Sequence, residues 1–376
     1  RDPSAWMHLV FAYDSANATS SNRALLYING VQVTAFSTAT YPTSSLASQI
    51  NSAILHRIGC RTYAVDGLFD GYLTEINFID GQALTPSSFG TTDTATGAWI
   101  PMPYTGTYGA NGFYLNFKDN TSTTTLGYDY SGNANNWNTN NISLTSGSTY
   151  DSMLDVPTPW VGYNTGDTTA VTRGNYCVMN PLNLPKGWSM SNGNLLWTAP
   201  SAEGQAVGTM YVSSGKYYWE MVQNVTGGCA FGIAKDTTNI NSITLTAGSY
   251  VYYSTSGNKY DGGTGSAYGA TYTSGDVIGI ALDLDAGTLV FYKNNTSQGT
   301  AFTGLSGTFA PLIFDGTSAV APTFDANFGQ RPFTYTPPTG FKALNTYKDC
   351  LSIGVALRKY LSPDVVRDAR ELLKDY

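Results

Sequence analysis

The sequence predicts a mainly β protein: two antiparallel β-sandwiches in series, followed by a short C-terminal helical hairpin. Three observations carry this. One pattern occurs twice: an alternating apolar strand, an Asp-led turn, a second strand and an asparagine turn. The first copy runs from Leu9 to Asp14 and from Leu25 to Val33, the second from Val277 to Asn295. The copies end in Asn29-Gly30 and Asn294-Asn295, residues that tolerate the positive φ of tight hairpin turns. Composition agrees, since only 12% of the 376 residues are charged while Gly (40) and Tyr (27) are abundant. Strands and turns favour that mixture over helices. Composition then changes at Tyr347, after which 30 residues hold 11 of the chain's 45 charged side chains.

Taken in order, residues 1–90 hold the first hairpin, an expected strand at Ile54–Gly59 and another within Phe69–Asp80. Residues 91–174 read as a β-containing connector, with a strand at Gly112–Phe117 and the Asn-rich run Leu126–Trp137. Residues 175–346 form the second sandwich, from Asn194–Trp197 through Gly215–Met221, Ala230–Ala234, the second hairpin and Phe309–Phe314 to Asp325–Gln330. Residues 347–376 are the helical tail. There Ser362-Pro363-Asp364 supplies an N-cap, a proline at the first helical position and an acid in the first turn. Val365, Val366, Ala369, Leu372, Leu373 and Tyr376 follow at helical spacing, a stripe suited either to a hairpin docked on the second sandwich or frayed at the terminus, or to oligomerisation or attachment.

The charge balance excludes several functions. With net charge −7 and 19 basic residues scattered along the chain, no basic patch for phosphates arises, and nucleic-acid binding is not expected. No run of about 18 apolar residues exists, so no membrane span is expected. The chain begins at Arg1 without a signal peptide, which reads as a processed product or a fragment. Cys60, Cys177, Cys229 and Cys350 include no C-x-x-C pair, which argues against a zinc site.

Catalytic chemistry finds little support. The two histidines, His8 and His56, stand beside no recognisable nucleophile, and no Gly-x-Ser-x-Gly elbow occurs. The four glutamates, Glu75, Glu203, Glu220 and Glu371, form no closely spaced pair of the kind glycoside hydrolysis requires. Asp283–Gly287 opens like a calcium loop, but Asn294 stands where the twelfth-position carboxylate would be, so it reads as a hairpin turn. The chain therefore reads as a non-enzyme that binds through loops. Tyr260, Tyr268 and Tyr272 lie in or beside a Gly-rich stretch, and Tyr130 and Trp137 in the connector. These are the expected ligand-binding residues, because aromatic rings among small polar groups suit sugars and protein epitopes alike.

Two resemblances refine these expectations. Trp6 and His8, the Tyr27–Gly30 hairpin end, Phe69, Gly71 and Ile76, and the Ala83-Leu84-Thr85 tail resemble the second half of a laminin-G or concanavalin A-like jelly roll. The strands that should precede Arg1 are absent from this pattern. Either the mature protein is longer, or residues 99–160 or a second chain supply the partners. The resemblance implies a rim calcium ion (Ca2+) with Asp66 or Asp70 as ligand; no other cofactor is expected. Residues 175–346 resemble a SPRY (B30.2-type) domain through Gly215–Glu220, Gly279–Asp285, a Pro-containing late strand and Asn327-Phe328-Gly329.

The series of units is similar to the distal part of bacteriophage tail-fibre or virion-appendage proteins. That resemblance implies a virion-borne, extracellular adhesin that binds a cell-surface glycan or receptor. It also implies assembly as a homo-oligomer or with other virion proteins. Two alternatives are a secreted glycan-active enzyme or carbohydrate-binding module, and a SPRY-type protein-interaction scaffold inside a cell.

Overall fold

Alternation in the sequence becomes paired strands in a computed structural model, which describes residues 6–61, 67–69, 71–92, 97, 99–147, 149–155, 175–185, 187–199, 203–225, 227–316 and 321–345. Helix is confined to one four-residue turn and a few 3-10 turns among these residues, as the composition predicts. The expected C-terminal helices and Asp66 and Asp70 lie outside the described residues.

The first hairpin forms as expected, with β1 (Leu9–Tyr13) antiparallel to β2 (Ala24–Ile28). Asn29 and Gly30, at φ 48° and 80°, then turn the chain into β3 (Val31–Gln32). Val10 and Ala12 are buried on one face of this sheet, whereas Leu9, Phe11 and Val31 on the other are more than half exposed. Two-stranded ladders follow: β4 (Ile76–Phe78) pairs β7 (Phe113–Leu115), and β5 (Gly90–Thr92) pairs β6 (Trp99–Pro101). The connector thus supplies strands to the first block. Trp99 of β6 donates its indole N–H to His8 Nδ1 at 3.0 Å, and burial lowers the pKa of that imidazole. His8 is therefore a neutral packing residue.

The predicted strand at Ile54–Gly59 is absent. His56 lies within hydrogen-bonding distance of the Ile54 and Gln49 carbonyls, and Ile54 and Leu55 face solvent. Local side-chain bonding competes with strand pairing where no neighbouring strand is available.

A single helical turn, α1 (Thr123–Leu126), is capped reciprocally by Ser122 and Thr125. The Asn-rich run after it is tied down by one carboxylate. Asp129 accepts from the N–H groups of Tyr114, Ser131 and Asn135 and from the Ser131 hydroxyl. Burial alone would raise this carboxyl; these bonds outweigh it and hold the group below the ordinary Asp range. A depressed carboxyl adds stability above its unfolded pKa and loses it as pH falls through the folded value. Asp129→Asn should therefore cost about 1–2 kcal/mol at neutral pH. Urea titrations should show the gap starting to close below about pH 4, where the unfolded-state carboxyl takes its proton, and vanishing at lower pH once the folded carboxyl is protonated as well.

The second sandwich has two sheets. Its strands are β8 (Ser189–Ser191), β9 (Leu196–Thr198), β10 (Gly204–Val207), β11 (Lys216–Gln223), β12 (Cys229–Lys235), β13 (Ser249–Tyr253) and β14 (Asn258–Asp261). Then follow β15 (Thr264–Ala267), β16 (Val277–Asp283), β17 (Thr288–Lys293), β18 (Thr296–Phe302), β19 (Phe309–Asp315) and β20 (Thr323–Asn327). One sheet has the order β10-β19-β12-β13-β14-β15, the other β18-β17-β16-β11-β20-β9-β8. The second repeated hairpin is β16–β17, and Asn294-Asn295 at φ 46° and 66° turns it into β18.

Facing sides of the sheets meet over one apolar core that includes Trp197, Trp219, Phe231, Tyr252, Phe291 and Phe324. Strand alternation explains which residues point in. On β11, Trp219, Met221 and Gln223 face the core, while Tyr218 and Glu220 face away. The outward pair is nonetheless buried beneath residues 332–342: Phe333 packs edge-on against Tyr218, and Glu220 accepts from the Thr334 and Tyr335 N–H groups at 2.8 Å. The outer side of the six-stranded sheet is covered by the β12–β13 connection through Ile240 and Leu245.

The N-terminal block touches this sandwich at the β8–β9 turn. Tyr72 donates to the Asn192 carbonyl at 3.0 Å, and a Cβ on Gly193 would lie 1.7 Å from the Tyr72 ring.

Candidate functional site

The turn joining β11 to β12 is held from beneath by buried polar groups. Gln223 occupies an inward position next to Met221 and is fully buried. Its amide nitrogen donates to the carbonyls of Val225 and Gly227, each at 2.8 Å. Its amide oxygen accepts from the Cys229 thiol at 3.2 Å. Ser254, also fully buried, donates to Gly227 O and accepts from Cys229 N–H. From the side, Ser274 donates to Asn224 O at 2.7 Å and Gly275 N–H to Gln223 O. Each bond to a turn carbonyl removes freedom from the backbone, so Val225, 41% exposed, is displayed on a rigid support.

Tyr253 borders this turn. Its ring stands 5.6 Å from Tyr260 and 6.4 Å from Phe314. Burial raises the Tyr253 phenol, with further contributions from Cys229, Tyr260, Asp315 and Glu203. The Cys229 thiol is pushed up to about 12 by burial, as is that of Cys177. Neither presents a thiolate at neutral pH, so neither is a nucleophile. Among the described residues no group of three or more His, Cys, Asp or Glu is placed to hold a metal ion. No described helix is long and apolar enough to cross a membrane.

The structure scatters the five expected ligand-binding aromatics. Tyr272 is buried in the core, where its hydroxyl donates to Tyr252 O at 2.8 Å and its ring stacks on Phe231. It cannot meet a ligand, which corrects the expectation made for it. Tyr268 is half-committed as well: it packs edge-on against Tyr252 and donates to Gly299 O at 2.6 Å. Tyr260 lies on the opposite side of the same sheet, beside Tyr253. Tyr130 is partly exposed with the Lys118 ammonium 4.8 Å from its ring centre, and Trp137 packs against Phe113. Gly/Tyr loops supply hydroxyls that bond to backbone as readily as rings that bind ligands, and here several of them brace the fold.

Sequence reasoning missed Gln223 and Ser254. The signal for Gln223 was present: in Trp219-x-Met221-x-Gln223 an amide takes the place where alternation calls for an apolar side chain.

Residues 216–331, from the start of β11 to the segment after β20, match the SPRY domain family. This segment is a SPRY domain. Over 126 residues the chain is 35% identical to Ran-binding protein 9 of Danio rerio, covering 32% of this chain and 21% of that protein. The same identity holds over 126 residues of human Ran-binding protein 9, covering 17% of it. The Drosophila melanogaster homologue of Ran-binding proteins 9/10 is 32% identical over 128 residues, 13% of its length. The chain thus spans about a fifth or less of these curated relatives. Among solved structures, the SPRY domain of human HERC1 aligns with 23% identity and a TM-score of 0.36, covering 41% of this chain and 99% of that one. The TRIM65 PSpry domain aligns with 15% identity and a TM-score of 0.34, covering 40% and 92%.

These relatives overturn the virion reading. The curated relatives named above are animal Ran-binding proteins, which conflicts with a phage tail fibre, with a virion or extracellular location and with glycan or virion-protein partners. The cause of the error is physical. Repeated hairpins, Asn turns and Gly/Tyr loops follow from sandwich geometry, and they carry no information about where a sandwich is used.

Proposed function

We propose that the SPRY domain is a non-enzymatic protein-interaction module that presents the rim around Val225 to a partner protein. One observation carries this reading: the buried amide of Gln223 and hydroxyl of Ser254 are spent on fixing the backbone of the β11–β12 turn. A binding loop on a rigid scaffold needs such support, whereas a passive turn does not. The relatives named for Ran binding support the same class of role, and Ran enters as a probe. For residues 1–90 the laminin-G-like reading stands beside it, supported by the Tyr27–Gly30 hairpin end.

The test is direct binding of the purified full chain to Ran and to peptides selected from a displayed library. Val225→Asp should abolish binding while leaving the unfolding midpoint within experimental error; unchanged binding would sink the proposal. Gln223→Leu should cost about 1–2 kcal/mol in urea unfolding, because the turn carbonyls lose their buried donor. It should also weaken the selected peptides by loosening the turn.

A further inference from the structure

The edges of the two sheets are not equally protected. At β10, the chain before it lies alongside, with Asn180 N–H bonding Val207 O and Thr209 N–H bonding Val178 O. At β18 a bulge breaks the register, Tyr268 donates to Gly299 O and Lys259 to Ala301 O. At β8 the strand is only three residues long and leads into the turn held by Tyr72. Strand β15 is different. Thr264–Ala267 is exposed throughout, carries no charge and no proline, and pairs only with β14 among the described residues.

The phase of the ladder can be read from one bond. Gly262 N–H donates to Ser249 O across the β13–β14 pairing, in which Tyr250 faces Asp261 and Val251 faces Tyr260. Residues 258, 260 and 262 therefore bond toward β13. Lys259 and Asp261 bond toward β15, to their partners Ser266 and Thr264. Gly265 and Ala267 are left with N–H and C=O groups pointing outward, two donors and two acceptors in strand geometry. Natural edges are usually blunted by charge, proline, a bulge or a covering segment; among the described residues this one has none of these.

The surface beside that edge is shaped. Gly265 sits opposite Tyr260, and a Cβ there would lie 2.7 Å from the Tyr260 ring. The ring therefore leans across the glycine toward the edge. A residue of an added strand opposite Gly265 would place its side chain on the same side, against that ring.

We propose that the outer edge of β15 accepts an extended, uncharged segment of a partner protein as an added strand, with an apolar residue seated on Tyr260. Main-chain bonds to Gly265 and Ala267 supply affinity, and the Tyr260 contact supplies selectivity. This edge adjoins the Val225 rim through the Tyr253–Tyr260 ring contact but uses neither Val225 nor the backbone of the β11–β12 turn.

The test pans a displayed library of random heptapeptides in parallel on the full chain and on its Ala267→Pro variant. Proline at an outward-facing edge position spares the existing ladder, removes one donor and blocks the approach of a new strand. The wild type should enrich uncharged sequences with a central apolar residue. By fluorescence anisotropy those peptides should bind Ala267→Pro about tenfold more weakly, the loss of roughly one backbone bond. Tyr260→Ala should weaken them too, while Val225→Asp leaves them unaffected. Equal recovery and equal affinity on wild type and Ala267→Pro would overturn the proposal, as would loss with Val225→Asp alone. Should Ala267→Pro unfold, amide exchange on the wild type decides. Slower exchange at Gly265 and Ala267 with the selected peptide supports pairing there; unchanged exchange refutes it.

Discussion

Replacing Arg331 by methionine should destabilise the SPRY domain by about 3–5 kcal/mol, the range for breaking a buried ion pair from one side. Arg331 is 2% exposed and Asp325 5%, and the guanidinium bonds both the Asp325 carboxylate and Ala326 O. Burial raises the Asp325 pKa, and Arg331 opposes that rise. Without Arg331 only the raising influence remains, so the folded protein would hold a proton on Asp325 that the unfolded chain releases. An acid with a raised folded pKa has its stability in full below its unfolded pKa and loses it as pH climbs through the folded value. Urea unfolding should thus find Arg331→Met more stable at pH 5 than at pH 7. Pairing it with Asp325→Leu should recover most of the loss and remove this pH slope, since a well-packed apolar pair often equals a buried ion pair. A single variant as stable as wild type at pH 7 would contradict the account.

Glu220→Gln should be the second most damaging change, at about 2–4 kcal/mol, because two charge-assisted bonds are affected together. In the wild type Oε1 accepts from Tyr335 N–H and Oε2 from Thr334 N–H, with the Tyr218 hydroxyl also on Oε1. Glutamine offers one acceptor and one donor, so one backbone N–H would face another N–H at close range. Burial raises the Glu220 pKa, and the backbone bonds work against it. Loss should be local as well as global. Amide exchange at Thr334 and Tyr335 should accelerate more than exchange in β12 or β19, as the 332–342 segment lifts from the sheet. Uniform acceleration would mean that Glu220 acts only through the core.

Much of the fold was legible because strand alternation and turn chemistry are local. The β16–β17 hairpin and its Asn294-Asn295 turn follow from residues adjacent in sequence, and so do β11, β12 and β19. What failed depended on distant partners. Nothing in Ile54–Gly59 says that no strand waits beside it, and nothing near Tyr272 says that its hydroxyl will bond to Tyr252. The candidate rim was half visible. An inward amide at Gln223 breaks the apolar pattern, but the carbonyls it serves are assigned only once the turn has folded. The partner class was the least legible, because the same aromatic loops serve packing and recognition.

The contact between Tyr72 and Gly193 carries an evolutionary consequence. Residue 193 lies in the β8–β9 turn at φ 62°, where the backbone already favours glycine, and a second demand for no side chain comes from a ring 121 positions earlier in the chain. The coupling runs mainly one way: a side chain at 193 displaces the ring, whereas loss of the ring lifts the steric demand and leaves the backbone one. Covariation at this pair would mark which homologous chains keep the N-terminal block seated on the SPRY domain and which let the two drift apart.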